Sequence, residues 1–183
     1  FCSGADLENP GRLPDIEGLT LPTIALRSME LLERVITTVR TMHQPVIAAV
    51  NGPAIGGGFC LALACDLIAV GESAYFRAAG INNGLTATEL GLSYLLPRAV
   101  GSVRAADIML TGRDIDATEA KAIGLASHST SDAELLTTCY GVAERIAAFS
   151  RPGIELTKRM LAASLDGGSL SAHMRNEGLS QLY

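Results

Sequence analysis

Residues 46–66, VIAAVNGPAIGGGFCLALACD, constrain the fold more tightly than any other stretch of the chain. Val46 to Val50 reads as a buried strand, which Asn51-Gly52-Pro53 then breaks. Gly56, Gly57 and Gly58 follow and open an apolar helix running to Ala64. Glycine lets the backbone approach a neighbouring group with no Cβ in between. The first turn of a helix carries N–H groups without intrahelical partners, and these favour negative charge. Such a turn suits a phosphate or a developing oxyanion. The bland alternative is that the glycines serve only close packing of helix on strand.

Known phosphate loops fit poorly. A Walker loop places Lys-Ser/Thr after its glycines, whereas Phe59 and Cys60 stand here. The spacing of Gly52, Gly56, Gly57 and Gly58 does not make the dinucleotide pattern G-x-G-x-x-G.

The chain has 183 residues, 48% of them hydrophobic, with no tryptophan and a formal net charge of −5. That composition predicts one soluble domain with a sizeable core. The mildly acidic balance argues against nucleic acid as the main partner. No apolar run is long enough to span a bilayer, and no basic-then-apolar leader is expected. Cys2, Cys60, Cys65 and Cys139 have neither metal-ligand nor disulfide-scaffold spacing, so they read as buried, reduced thiols of a cytoplasmic protein.

The periodicity gives a helix-rich α/β order. Glu8 to Pro22 reads as a surface loop, and Thr23 to Met42 as a helix. That helix buries Ile24, Leu31, Val35 and Val39 and turns Arg27, Glu30, Glu33 and Arg34 to water. After the glycine-led helix come a strand near Leu67–Val70, a β-like piece at Ala74–Arg77 and a loop at Gly80–Gly84. Further helices are predicted at Thr88–Leu95, Val103–Leu110, Thr118–Ile123, Asp132–Phe149, Gly153–Leu165 and Ser169–Tyr183.

The chain opens FCSGADL, in which Gly4-Ala5-Asp6 is a small-residue turn able to present another backbone N–H. SGADL, AAVNGPAIGGG, CDLIAVGESAYFR (Cys65 to Arg77), LPRAVG (Leu96 to Gly101) and LTGRDIDATEAKAIGLA (Leu110 to Ala126) follow in this order. Together they resemble the crotonase superfamily, the enoyl-CoA hydratases and isomerases. The resemblance implies an α/β spiral of ββα units with C-terminal helices, here lacking the N-terminal part of the core. It implies an incomplete spiral core over 1–125 and a helical trimerisation region over 126–183. The implied assembly is a homotrimer or dimer of trimers, and the implied substrate is an acyl-CoA. No metal and no further cofactor is implied, since CoA enters as part of the substrate. Phe1 falls well inside a typical member, so a segment with a basic contact to the CoA phosphates is expected to precede it.

The same resemblance maps an oxyanion hole onto the backbone N–H groups of Ala5 and Gly57, with Gly4, Asp6, Leu7, Gly56 and Gly80 around the substrate. It also exposes a departure. Hydratases of the family carry two glutamates for acid–base work, and their positions are Cys60 and Gly80 here. Neither residue replaces a carboxylate near neutral pH. Glu89, before the LPRAVG helix, is the remaining candidate base; alternatively it sits in the first turn of a helix capped by Thr86 or Thr88. His43, His128 and His173 have no ligand spacing and read as surface or capping residues. Asp6 reads as fixing its own turn and Asp66 as bonding local backbone. Arg98, Arg104, Lys158 and Arg159 read as solvated helix faces, with approach to the CoA phosphates as the alternative. Two functions remain open: hydration or double-bond isomerisation of an enoyl-CoA, and non-catalytic binding of an acyl-CoA.

Overall fold

A computed structural model describes residues 1–6, 8 and 13–180. After helix α1 (Leu21–Thr41), the chain makes strand β1 (Ile47–Val50), turns a corner at Asn51-Gly52, makes β2 (Pro53–Ile55) and returns through helix α2 (Gly57–Ala64). The next stretch repeats the layout with β3 (Leu67–Gly71) and β4 (Tyr75–Arg77). β1 pairs in parallel with β3, Ile47 opposite Leu67 and Val50 opposite Val70. β2 pairs in parallel with β4, Pro53 opposite Tyr75 and Ile55 opposite Arg77. Parallel neighbours require a crossover, and α2 supplies it. One turn of strand, corner, strand and helix therefore stacks on the next.

A short 3-10 turn (Ile81–Asn83) leads to α3 (Leu92–Val100), α4 (Ser102–Thr111), β5 (Asp114–Asp116), α5 (Ala117–Ala122) and β6 (His128–Thr130). Helices α6 (Leu135–Ala147), α7 (Arg151–Asp166) and α8 (Leu170–Ser180) complete the described chain. β5 joins β4 antiparallel, with an Arg77–Asp114 ion pair at the joint, Nε to Oδ1 2.5 Å. β6, beyond residue 125, joins β3 in parallel. The two sheets thus run β1-β3-β6 and β2-β4-β5. Among the described residues no helix is long and apolar enough to cross a membrane.

Several elements differ from the sequence expectation. β2, β5 and β6 are three residues each, too short to show a period of their own, and exist because partners distant in sequence complete them. α1 begins at Leu21 and takes in Pro22, which a first helical turn accommodates because its N–H would have no partner there. The predicted loop at Glu8–Pro22 falls partly, at 9–12, outside the described residues, as do 181–183 of the predicted tail helix. On α1 the buried residue is Ile36; Leu31 and Val35 are exposed and Ile24 and Val39 half-buried. The apolar face of this helix is wider than the part of it that is covered, so Leu26, Leu31, Leu32 and Val35 remain exposed.

Alternation along β1 sends Ala48 and Val50 into the main core and Ile47 and Ala49 to the opposite face. The main core holds Phe59 and Phe76, ring centroids 5.1 Å apart, with Leu92, Leu96, Ile108 and Ile115 all fully buried. The other face carries a smaller cluster of Ala69, Leu135 and Cys139. Cys60 and Cys139 are buried as expected, whereas Cys2 and Cys65 are only half-buried.

Lys158 corrects the reading of a solvated helix face. It is 6% exposed on α7, and its Nζ donates to Val39 O (3.1 Å) and Gln44 O (2.8 Å) while meeting Asp66 Oδ2 at 2.8 Å. The same Asp66 oxygen accepts from Val46 N, 2.8 Å away, so Asp66 bonds a residue distant in sequence, not a local one. An ammonium lost here leaves two carbonyls and a carboxylate short of a donor. Lys158→Met is therefore expected to lower the stability of the complete protein by about 3–5 kcal/mol, read from urea unfolding midpoints.

Candidate active site

Cys2 extends the second sheet beyond β2. It bridges Ala54 in parallel, with Cys2 N donating to Pro53 O (2.9 Å) and Ile55 N to Cys2 O (3.0 Å). Gly4, at φ +87°, then turns the chain onto the start of α2. A Cβ on Gly4 would stand 2.8 Å from Ile55 O and 3.8 Å from Gly57 N. A Cβ on Gly58 would overlap the Cys2 carbonyl outright. The two glycine-bearing motifs, far apart in sequence, are thus in backbone contact.

Gly56 stands at the N-cap of α2 with φ +54° and ψ −119°, a conformation essentially open to glycine alone, and its N–H donates to Arg77 O at 3.0 Å. No side chain caps this helix. Among the described residues, neither the Ala5 nor the Gly57 N–H donates a hydrogen bond to the protein. Asp6 Oδ1 accepts from Glu8 N at 3.0 Å, in keeping with a turn-fixing role. Leu7 lies outside the described residues.

Glu89 is not in a helical first turn. It lies in the loop before α3, followed by Leu90 at φ +46° and Gly91 at φ +83°, and α3 starts only at Leu92. The Thr86 and Thr88 hydroxyls bond each other at 3.0 Å and cap no helix. Glu89 Oε1 stands 3.4 Å from where a Cβ on Gly56 would be, which brings a carboxylate to the glycine turn. The side chain is half-buried, and loss of water around it pushes its pKa up.

Cys60 and Gly80, the positions that the resemblance assigns to glutamates, both lie against this loop. Cys60 is fully buried, and its thiol donates to Glu89 O at 3.5 Å, an oxygen that also accepts from Leu92 N at 2.8 Å. Burial first, and the Glu89 charge second, push the Cys60 pKa up to about 12, so the thiol stays protonated near neutral pH. At Gly80, also buried, a Cβ would overlap the Thr86 carbonyl and lie 3.5 Å from Ala87 Cα. This role for Gly80 is not legible in the residues alone, because the clash is with backbone whose path depends on the rest of the loop.

The remaining polar residues stand apart. His43 pairs with Glu155 (2.6 Å) and His173 with Glu177 (3.4 Å), while His128 lies in β6. Arg98 stacks on the Tyr94 ring at 3.5 Å, Arg104 reaches Val100 O at 3.4 Å, and Arg159 is exposed on α7. A groove of about 820 Å³ lies between Ile47 and Ala49 of β1, α6 and the start of α7, and none of the residues of the glycine turn lines it.

The family model for enoyl-CoA hydratase/isomerase matches residues 1–179. The probable enoyl-CoA hydratase EchA12 of Mycobacterium tuberculosis is 66% identical over 183 residues, covering 100% of this chain and 64% of that protein. This chain therefore spans less than two thirds of that relative's length. The crystal structure of a probable enoyl-CoA hydratase/isomerase from Mycobacterium abscessus matches with TM-score 0.95 and 67% identity, over 100% of this chain and 68% of its own. That of a monofunctional enoyl-CoA isomerase from M. smegmatis matches with TM-score 0.75 and 64% identity, over 80% of this chain and 68% of its own. The crotonase-like α/β architecture expected from the motif order is the architecture observed.

Because backbone fills the space at Gly80, Gly80→Ala is expected to lower stability by about 1–3 kcal/mol. Gly141→Ala, on α6 with open space around it, is expected to raise stability by about 0.5–1 kcal/mol. Urea unfolding of both variants of the complete protein checks the contrast.

Proposed function

The chain belongs to the enoyl-CoA hydratase/isomerase family, and from that premise we propose that the complete protein moves a double bond within an enoyl-CoA thioester. The observation carrying this reading is Glu89 Oε1 at the glycine turn, in a loop that also fills the places of both hydratase glutamates. Hydration needs a water held and activated; isomerisation needs only one group that takes a proton and gives it back. The Glu89 carboxylate removes a proton from C2 of a 3-enoyl-CoA. The resulting dienolate carries its charge on the thioester oxygen, and the Glu89 carboxyl returns the proton at C4. Atoms and electrons balance without water or an oxidant.

The Ala5 and Gly57 N–H groups, with Gly4 and Gly56 shaping their approach, are assigned to that oxygen. Each such donor is worth about 3–4 kcal/mol of transition-state stabilisation. Asp6 holds the Gly4-Ala5 turn in shape. The M. smegmatis isomerase, at 64% identity, supports the choice between the two activities. CoA enters with the substrate and no further cofactor is required. The free thiols fit a reducing, cytoplasmic setting. Leu161, Leu170, Met174 and Leu179 stand exposed on α7 and α8, which supports 126–183 as the contact region of a homotrimer or dimer of trimers.

Glu89→Gln in the complete protein is expected to slow isomerisation of a 3-enoyl-CoA by about 10²- to 10⁴-fold and to abolish deuterium uptake from D₂O. Desolvation raises the Glu89 pKa, and the base form is required. The rate of the unmodified enzyme is therefore expected to fall as pH drops through a midpoint above the usual glutamate range. Water addition that survives Glu89→Gln would establish the hydratase reading instead. Intact acyl-CoA binding with neither exchange nor isomerisation would establish a non-catalytic subunit.

A further inference from the structure

Leu90 has no role in the proton transfer, yet its backbone is held at φ +46°, a region that residues with a Cβ rarely enter. Its neighbours impose this. Ala87 and Leu92 are buried on either side, and the Glu89 carbonyl is held by both Leu92 N and the Cys60 thiol. In an extended segment consecutive side chains point to opposite sides. The left-handed backbone at Leu90 instead brings two successive side chains to the same turn. Glu89 Oε1 is 3.4 Å from the Cβ position of Gly56, and Leu90 Cδ1 is 3.6 Å from that of Gly57. Leu90 also packs against the edge of the main core, which fixes it in place.

We propose that Leu90 is a specificity-determining residue, walling off the space before the Gly57 N–H so that water exchanges the proton that Glu89 holds only in part before it is returned. The inference rests on the isomerase reading above. A carboxyl open to solvent exchanges its proton before returning it, whereas one behind an apolar wall delivers the same proton to C4. A leucine side chain has neither donor nor acceptor with which to hold a water. The same wall keeps a nucleophilic water away from the unsaturated carbon, so one residue disfavours both exchange and hydration.

The test uses the complete protein and a 3-enoyl-CoA deuterated at C2, turned over in ordinary water, with the label located by NMR and mass spectrometry. The unmodified enzyme is expected to carry a measurable fraction of deuterium to C4. Leu90→Gly accepts the left-handed backbone without strain and removes the wall; it is expected to lower that fraction at least severalfold and to release some hydrated thioester. Leu90→Met, which refills the space, is expected to restore the transfer, as a role in loop folding alone would not predict. Complete loss of label in the unmodified enzyme, or equal retention in Leu90→Gly, overturns the proposal and leaves the isomerase reading standing. A protein that neither isomerises the substrate nor exchanges its C2 label overturns both.

Discussion

One contact between two stretches of backbone underlies the whole site: the Cys2 carbonyl occupies the space that a side chain on Gly58 would need. With Cys2 tied to Pro53 and Ile55, the following Gly4-Ala5 turn can lie only against the first turn of α2. Gly4 is thereby held against Ile55 and the start of α2 by main chain alone. Main-chain donors keep their geometry when surrounding side chains change, which suits a fold whose members differ in the reaction they carry out. The requirement falls on glycine, because any larger residue at position 58 forces the two segments apart.

Around that fixed element the Glu89 loop makes three close approaches that the residues at 56, 60 and 80 allow. Cys60, Gly80 and Glu89 are coupled through one loop. The loop that brings Glu89 to Gly56 sets its own carbonyl on the Cys60 thiol and puts the Thr86 carbonyl over Gly80. A carboxylate at position 80 and this path of the loop exclude each other. The cysteine at 60 contributes a weak donor that steadies the loop, and its raised pKa fits a thiol that stays protonated.

The glycine turn, strands β1 and β3 and the course of most helices were legible in the residues, because each rests on local chemistry: a run of β-branched residues, a proline, a glycine triplet. β5 and β6 were not, since three residues such as Asp114–Asp116 become a strand only by pairing with residues far away in sequence. Burial of Lys158 was equally hidden, because periodicity sorts lysine to the polar face whatever acceptors the fold brings to it. Glu89 was legible as a carboxylate near the motifs but not as one outside a helix. That depended on the left-handed pair Leu90-Gly91, which delays α3 to Leu92.

The Lys158–Asp66 pair also has a mechanical side. Asp66 grips Val46, the residue just before β1, while Lys158 grips the end of α1 and Gln44. A helix near the end of the chain is thus pinned to the root of the strand that runs, through one corner and β2, into Gly56. A shift of α7 must therefore carry Val46 and the end of α1 with it, or break a buried ion pair.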